Sequence, residues 1–127
     1  MANSGLIKSY IAAAVIAPFR ICKPAATAGQ VQQAAAATDK QFGVTTIVGA
    51  KAIGDTVDLV HTGLADVEYG GNVAAGDLLT ADADGKAVVA APAGGANARI
   101  IGVAHIAGAS GDIGRMFITP GSMQGAA

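Results

Sequence analysis

The sequence predicts a small all-β domain, a β-barrel or β-sandwich built from two similar halves with at most one short helical segment. Three observations carry this. Short β-branched runs recur at spacings of roughly ten residues with glycine between them, which is the pattern of barrels and sandwiches. A framework of glycine and apolar residues occurs twice. A chain of 127 residues is long enough for one modest core and too short for two.

Residues 1–9 are polar and contain glycine, so they read as an N-terminal arm, loose until something ties it down. A single β-rich domain then spans 10–121, with first strands expected at 10–16, 19–23 and 30–33. The Ala-rich stretch 34–40 is a helical turn or a loop. Val44-Thr45-Thr46-Ile47-Val48 has the β-branched density of a strand. Strands at 56–61 and 64–69 flank the turn Thr62-Gly63. In the second of them Ala65, Val67 and Tyr69 share one face and Asp66 and Glu68 the other, as in a half-buried strand. Further strands are expected at 78–80, 87–91, 99–106 and 115–119, with Asp82-Ala83-Asp84-Gly85 as a tight turn and 92–97 as a loop. The chain from Pro120 onward is small and polar, and 122–127 reads as a flexible tail.

The repetition sets the halves at about 17–69 and 74–121. Phe42-Gly43-Val44, Gly54-Asp55 and Thr62-Gly63 return as Ile101-Gly102-Val103, Gly111-Asp112 and Thr119-Pro120-Gly121, offset by about 58 residues. Two copies are too few for a solenoid. No catalytic residue type repeats except the aspartate that follows glycine.

Hydrophobic residues make up 52% of the chain but aromatics only 4%, so the core is assembled from Ala, Val and Ile and should be thin. Charged residues, at 13%, are too few to cover the surface of a soluble monomer, which implies that apolar surface faces a partner. The net charge is −1, and the eight basic side chains are dispersed, so no cluster exists to neutralise phosphates and nucleic acid is not an expected partner. The lone Cys22 excludes an internal disulfide and reads as a small buried hydrophobe in a reducing compartment. Residues 10–17 resemble the apolar part of a signal peptide. Pro18 and the direct continuation into Phe19-Arg20-Ile21 favour an ordinary strand, and the stretch is far too short to span a bilayer.

Catalytic chemistry is hard to find. Asp82-Ala83-Asp84 opens like a calcium loop, but Ala87 and Ala93 stand where that loop needs Gly and Glu. Gly108-Ala109-Ser110-Gly111-Asp112 lacks the second glycine and the helix of a nucleophile elbow. His61 and His105 have no neighbours at ligand spacing. Asp55 and Asp112 occupy matching places, and a turn-capping role outweighs an acid–base pair because Gly-Asp is a common turn dipeptide. No catalytic, cofactor-binding or metal residue is nominated, and no enzyme is expected.

Taken together, Ala36-Ala37-Thr38-Asp39-Lys40-Gln41-Phe42-Gly43-Val44, Gly54-Asp55-Thr56-Val57-Asp58-Leu59, Gly63-Leu64-Ala65-Asp66-Val67, Gly76-Asp77-Leu78-Leu79-Thr80-Ala81-Asp82, Gly85-Lys86-Ala87-Val88 and Ile101-Gly102-Val103-Ala104 resemble the capsid cement (decoration) proteins of tailed bacteriophages, the DUF2190 family. The resemblance runs from about Ala17 to Gly121. It implies a non-enzymatic virion protein, made in the bacterial cytoplasm, that sits on the capsid exterior. Its partners would be the major capsid protein and itself, a homotrimer in preference to a homodimer, with no nucleic acid or membrane. On this reading the arm 1–9 orders on the capsid by adding a strand to a sheet edge. The alternative is a virion-surface module that binds host or carbohydrate, for which the five aromatics (Tyr10, Phe19, Phe42, Tyr69 and Phe117) offer few platforms.

Overall fold

Ten strands divide into two sheets at the turn Thr62-Gly63 in a computed structural model that describes residues 5–125. Strands β1 (Ile7–Ala12), β2 (Ile21–Pro24), β3 (Gln30–Gln33), β4 (Gly43–Thr45) and β5 (Thr56–Val60) close a barrel in the order β1-β3-β2-β4-β5. Strands β6 (Leu64–Glu68), β7 (Leu78–Ala81), β8 (Ala87–Val89), β9 (Asn97–Ala104) and β10 (Ile113–Gln124) form a five-stranded sheet in the order β6-β10-β9-β7-β8. No helix occurs among the described residues.

Alternation fixes which way each strand faces. In β5, Val57 and Leu59 are buried while Thr56 and Asp58 face solvent. In β6, Ala65 and Val67 point inward, and Leu64, Asp66 and Glu68 point outward, as expected from the period-two pattern.

The all-β class holds, and the two halves share one order of pairing: β6-β10-β9-β7-β8 repeats β1-β5-β4-β2-β3. The first closes because β1 joins β5 to β3, the outer strands of the β3-β2-β4-β5 sheet. Strand β1 runs antiparallel to β5 from Ile7↔Val60 to Ile11↔Thr56 and parallel to β3 at Ile11↔Gln30 and Ala12↔Val31. In the second, a single parallel bridge between Tyr69 and Ala87 stands where β1 pairs with β3, and it links the end of β6 to β8. The boundary moves: β6, expected in the first half, belongs to the second sheet through its pairing with β10 from Leu64↔Phe117 to Glu68↔Ile113.

Both expected loose ends are partly built into sheets. Ile7, Lys8 and Ser9 pair with Val60, Leu59 and Asp58, and His61 N–H donates to Leu6 O, so these arm residues already form the start of a strand. Ser122, Met123 and Gln124 pair with Arg99, Ala98 and Asn97 beyond an irregularity between Ile118 and Gly121. Thr119 and Pro120 at that irregularity act as a bulge, which lets the strand pass Pro120 and resume pairing. The rest of the expected arm and tail, residues 1–4 and 126–127, lies outside the described residues.

The core has two parts. One lies inside the barrel and contains Ala12, Ile16, Cys22, Val31, Val57 and Leu59. The other spans the seam, joining Ile21, Val44 and Val60 of the barrel to Tyr69, Leu79, Ile101 and Met116 of the sheet. Cys22 is fully buried, and burial pushes its thiol pKa up to about 12. It is a packing residue, since a thiol held protonated is a poor nucleophile.

Candidate interaction surface

The repeated aspartates are turn caps. Asp55 N–H donates to Ala52 O, and its Oδ2 accepts from Lys51 and Ala52 N–H at 3.1 and 3.0 Å. Asp112 N–H donates to Ala109 O, and its Oδ2 accepts from Ala109 N–H at 2.8 Å. Asp77 does the same with Ala74, and Asp39 with Ala35 and Ala36. Each turn thus begins on Ala and ends on Asp three residues later. In three of them the residue before Asp is a glycine, Gly54, Gly76 or Gly111, at φ 91°, 92° and 89°, as the third position of a type II turn requires. The carboxylates of Asp55 and Asp112 are therefore committed to their own loops, and they sit in different sheets. Sequence reading found two of the four turns. It missed Asp77, although Gly76 precedes it, and Asp39, where Thr38 replaces the glycine.

Ion pairs and a strained residue stitch the two halves together. Arg20 Nη2 donates to Glu68 Oε1 at 3.2 Å and its Nη1 to Asp84 O at 2.9 Å, while Lys86 Nζ lies 3.2 Å from Glu68 Oε2. Burial works against the Glu68 carboxylate, but Lys86 and Arg20 outweigh it and hold its pKa below the usual range. Phe19, alone among non-glycine described residues in having positive φ (60°), presents its carbonyl to Glu68 N–H at 3.0 Å. Deeper in the seam, buried Gln41 gives its Nε2 to Thr80 Oγ1 at 2.9 Å and takes Ala81 N–H on Oε1 at 3.1 Å.

Neither histidine has the setting of a ligand. His61 Nε2 hydrogen-bonds Tyr10 OH at 2.7 Å, and its ring packs against those of Tyr10 and Phe42 at 5.5 and 5.3 Å. Lys8 Nζ sits 5.4 Å over the Tyr10 ring. These rings pack tilted or edge-on against one another. His105 meets Phe117 edge-on at 5.0 Å. Among the described residues no three His, Cys, Asp or Glu side chains gather at metal-ligand range. A shallow hollow of about 350 Å³ lined by Thr38, Asn97, Arg99 and Ser122 carries no carboxylate or nucleophile-and-base pair.

Exposed aliphatic side chains dominate the outer surface instead. Residues 12–19 and 46–55 run side by side as an irregular ribbon at the barrel. Ile16 and Ala50 exchange both backbone hydrogen bonds at 2.9 and 2.8 Å, Gly54 N–H donates to Ala12 O, and Ala12 N–H donates to Asp55 O. On this ribbon Val15, Ile47, Val48 and Ile53 are 63–75% exposed. Ile47 and Val48 were expected to continue strand β4. They leave it because Gly49 lies against the Ile16–Pro18 backbone at positive φ and turns the chain outward.

The second sheet carries its own apolar row. Leu64 faces Phe117, Phe117 faces Val103 and Val103 faces Leu78, side by side across four neighbouring strands. Phe117 and Leu78 are 45% and 40% exposed. The Arg115–Asp66 ion pair, at 3.1 Å, occupies the next row. Composition alone implied apolar contact surface. Its division between ribbon and sheet needed the strand registers.

No protein-family model matches the chain, and no curated protein matches it in sequence. Among solved structures the chain is similar to the N base of head fiber gp8.5 from bacteriophage phi29, with a TM-score of 0.68 and 19% sequence identity. The match covers 90% of this chain and 93% of that one. At this identity the likeness is one of fold.

Proposed function

We propose that the chain is a non-enzymatic structural protein of a phage virion that binds the outside of the capsid and cements neighbouring major capsid subunits, acting as a homo-oligomer with a trimer preferred. The observation that carries this reading is the fold shared along nearly the whole chain with the base of a phage head fiber. The surface supports it. A protein that holds several shell subunits at once gains avidity from each added contact and needs rigid apolar area more than charge. Four solvent-facing β-branched side chains on a clasped ribbon meet that need. The two aspartates weighed as an acid–base pair are engaged in turn caps, which removes the pair on which the enzyme alternative rested.

The test is co-sedimentation of the purified protein with expanded shells that lack it, followed by the melting temperature of the shells. Saturable binding with a raised shell melting temperature is expected. Protein that stays in the supernatant at every shell concentration would overturn the proposal.

A further inference from the structure

We infer that the polar hollow where the two halves meet receives an acidic side chain of a partner protein, with Arg99 as the cationic anchor of its carboxylate. The hollow, of about 350 Å³, is lined by Thr38 from the loop before β4, by Asn97 and Arg99 of β9 and by Ser122 of β10. Junctions between structural units are a preferred place for such sites.

Strand register builds one wall of the hollow. Ser122 lies opposite Arg99 and Gln124 opposite Asn97, so these four side chains stand on one face of the β9–β10 pair. Burial agrees, since Ala98 and Ile100 point inward while Asn97, Arg99, Ser122 and Gln124 are exposed. The other wall is set by the loop: Arg99 N–H donates to Ala37 O at 2.7 Å, which docks the chain beside β9 and brings in Thr38. At the far end Gly125 N–H donates to Ala96 O at 2.8 Å and ties β10 down. The backbone that carries the polar groups is therefore fixed before any partner arrives, which lowers the ordering cost of binding.

Charge identifies the occupant. Arg20, Lys23, Lys86 and Arg115 all have carboxylate partners, but Arg99, and Lys40 on the adjoining loop, make no ion pair among the described residues. Across residues 85–127 only Asp112 is acidic, and its carboxylate caps the Ala109 turn. Asp39, next to Thr38, is held by Lys23 at 3.2 Å and by the N–H groups of Ala35 and Ala36. The hollow thus offers a guanidinium, two hydroxyls and an amide, and no carboxylate lines it to compensate the positive charge. A guanidinium fork holds a carboxylate through two parallel N–H···O bonds, and hydroxyl and amide donors satisfy its remaining lone pairs. The unpaired cations also steer an acidic segment toward the site. No aromatic ring lines the hollow for a sugar to stack on, which favours an acidic peptide over an acidic saccharide.

The experiment titrates the isotope-labelled full chain with a blocked Gly-Glu-Gly peptide and follows its backbone amide shifts, at physiological salt so that diffuse attraction is screened. Blocked Gly-Gln-Gly and glucuronate are the comparison ligands. No capsid is present, so the outcome is separate from that of shell binding. Saturable shifts confined to the surroundings of Thr38, Asn97, Arg99 and Ser122 are expected with the glutamate peptide and none with the glutamine peptide. Arg99→Gln should weaken binding by about tenfold or more, the scale of a lost charged hydrogen bond. Lys51→Gln, on the barrel ribbon, should leave it unchanged. An absence of saturable shifts, shifts spread over the surface, equal binding of the glutamine peptide, tighter binding of glucuronate, or full affinity in Arg99→Gln would each overturn the inference. Ser122→Ala takes the place of Arg99→Gln if that variant loses its fold, with weaker binding again required.

Discussion

Tyr69 and Gly114 share one space: the phenol ring of Tyr69 lies where any side chain at position 114 would have to be. The ring is fully buried, and a Cβ at Gly108 would come within 2.7 Å of its Cδ2. Its hydroxyl donates to Ile106 O at 2.7 Å. The largest side chain of the seam therefore depends on two glycines from the last third of the chain. Gly114→Ala should destabilise by about 1–3 kcal/mol through overpacking. Gly121→Ala, where nothing lies within 4 Å of the added carbon, should change little. Urea unfolding of the two variants checks the contrast, and equal midpoints would refute the packing account.

The aspartate turns predict a difference between loss of charge and loss of an acceptor. Asp55→Ala removes the acceptor for Lys51 and Ala52 N–H and should cost about 1 kcal/mol, the scale of a lost cap. Asp55→Asn keeps an acceptor oxygen and should cost clearly less. Thermal melts of both variants decide it. An equal loss would mean the carboxylate charge, and not the turn bond, is what matters.

The Glu68 cluster makes a seam that weakens in acid. The folded pKa of Glu68 lies below its ordinary value because Lys86 and Arg20 outweigh the effect of burial. Its contribution to stability is therefore complete above the unfolded value and is lost as pH falls through the folded one. Asp39 acts in the same direction: burial is outweighed by the N–H groups of Ala35 and Ala36 and by Lys23. The stability gap between wild type and Glu68→Gln should be open at neutral pH and close as the solution becomes strongly acidic. A gap that stays constant across the titration would rule this out.

Cys22 should be silent toward thiol reagents in the folded protein, being buried and held protonated with a pKa of about 12. A chromogenic disulfide reagent is expected to react with one equivalent only after denaturant is added. Rapid labelling of the native protein would show that the barrel opens far more readily than its packing implies.

Legibility in the sequence followed the range of the interactions. The alternation in Leu64–Glu68 and the Asp82–Gly85 turn are local, and both stand where the pattern placed them. The end of β4 at Thr45 was not readable, because Ile47 and Val48 have strand propensity and only the approach of Gly49 to Ile16 turns them outward. Where each half starts was hidden for a similar reason. β1, which lies outside the segment 17–69, opens the first half as β6 opens the second, and it pairs with residues about 50 positions away. Of the interaction surface, only its apolar character was legible. The row Leu64–Phe117–Val103–Leu78 exists through three separate strand registers that no local pattern encodes.

Of the ten strands β10 is the last to be synthesised, and its Met116 and Ile118 complete the cluster that covers Ile21, Val44 and Val60. A nascent chain emerging in order can pair all five barrel strands by Val60, yet one side of that barrel stays wet until β10 has been translated. Chains stalled before Ile113 should therefore be sticky and readily degraded.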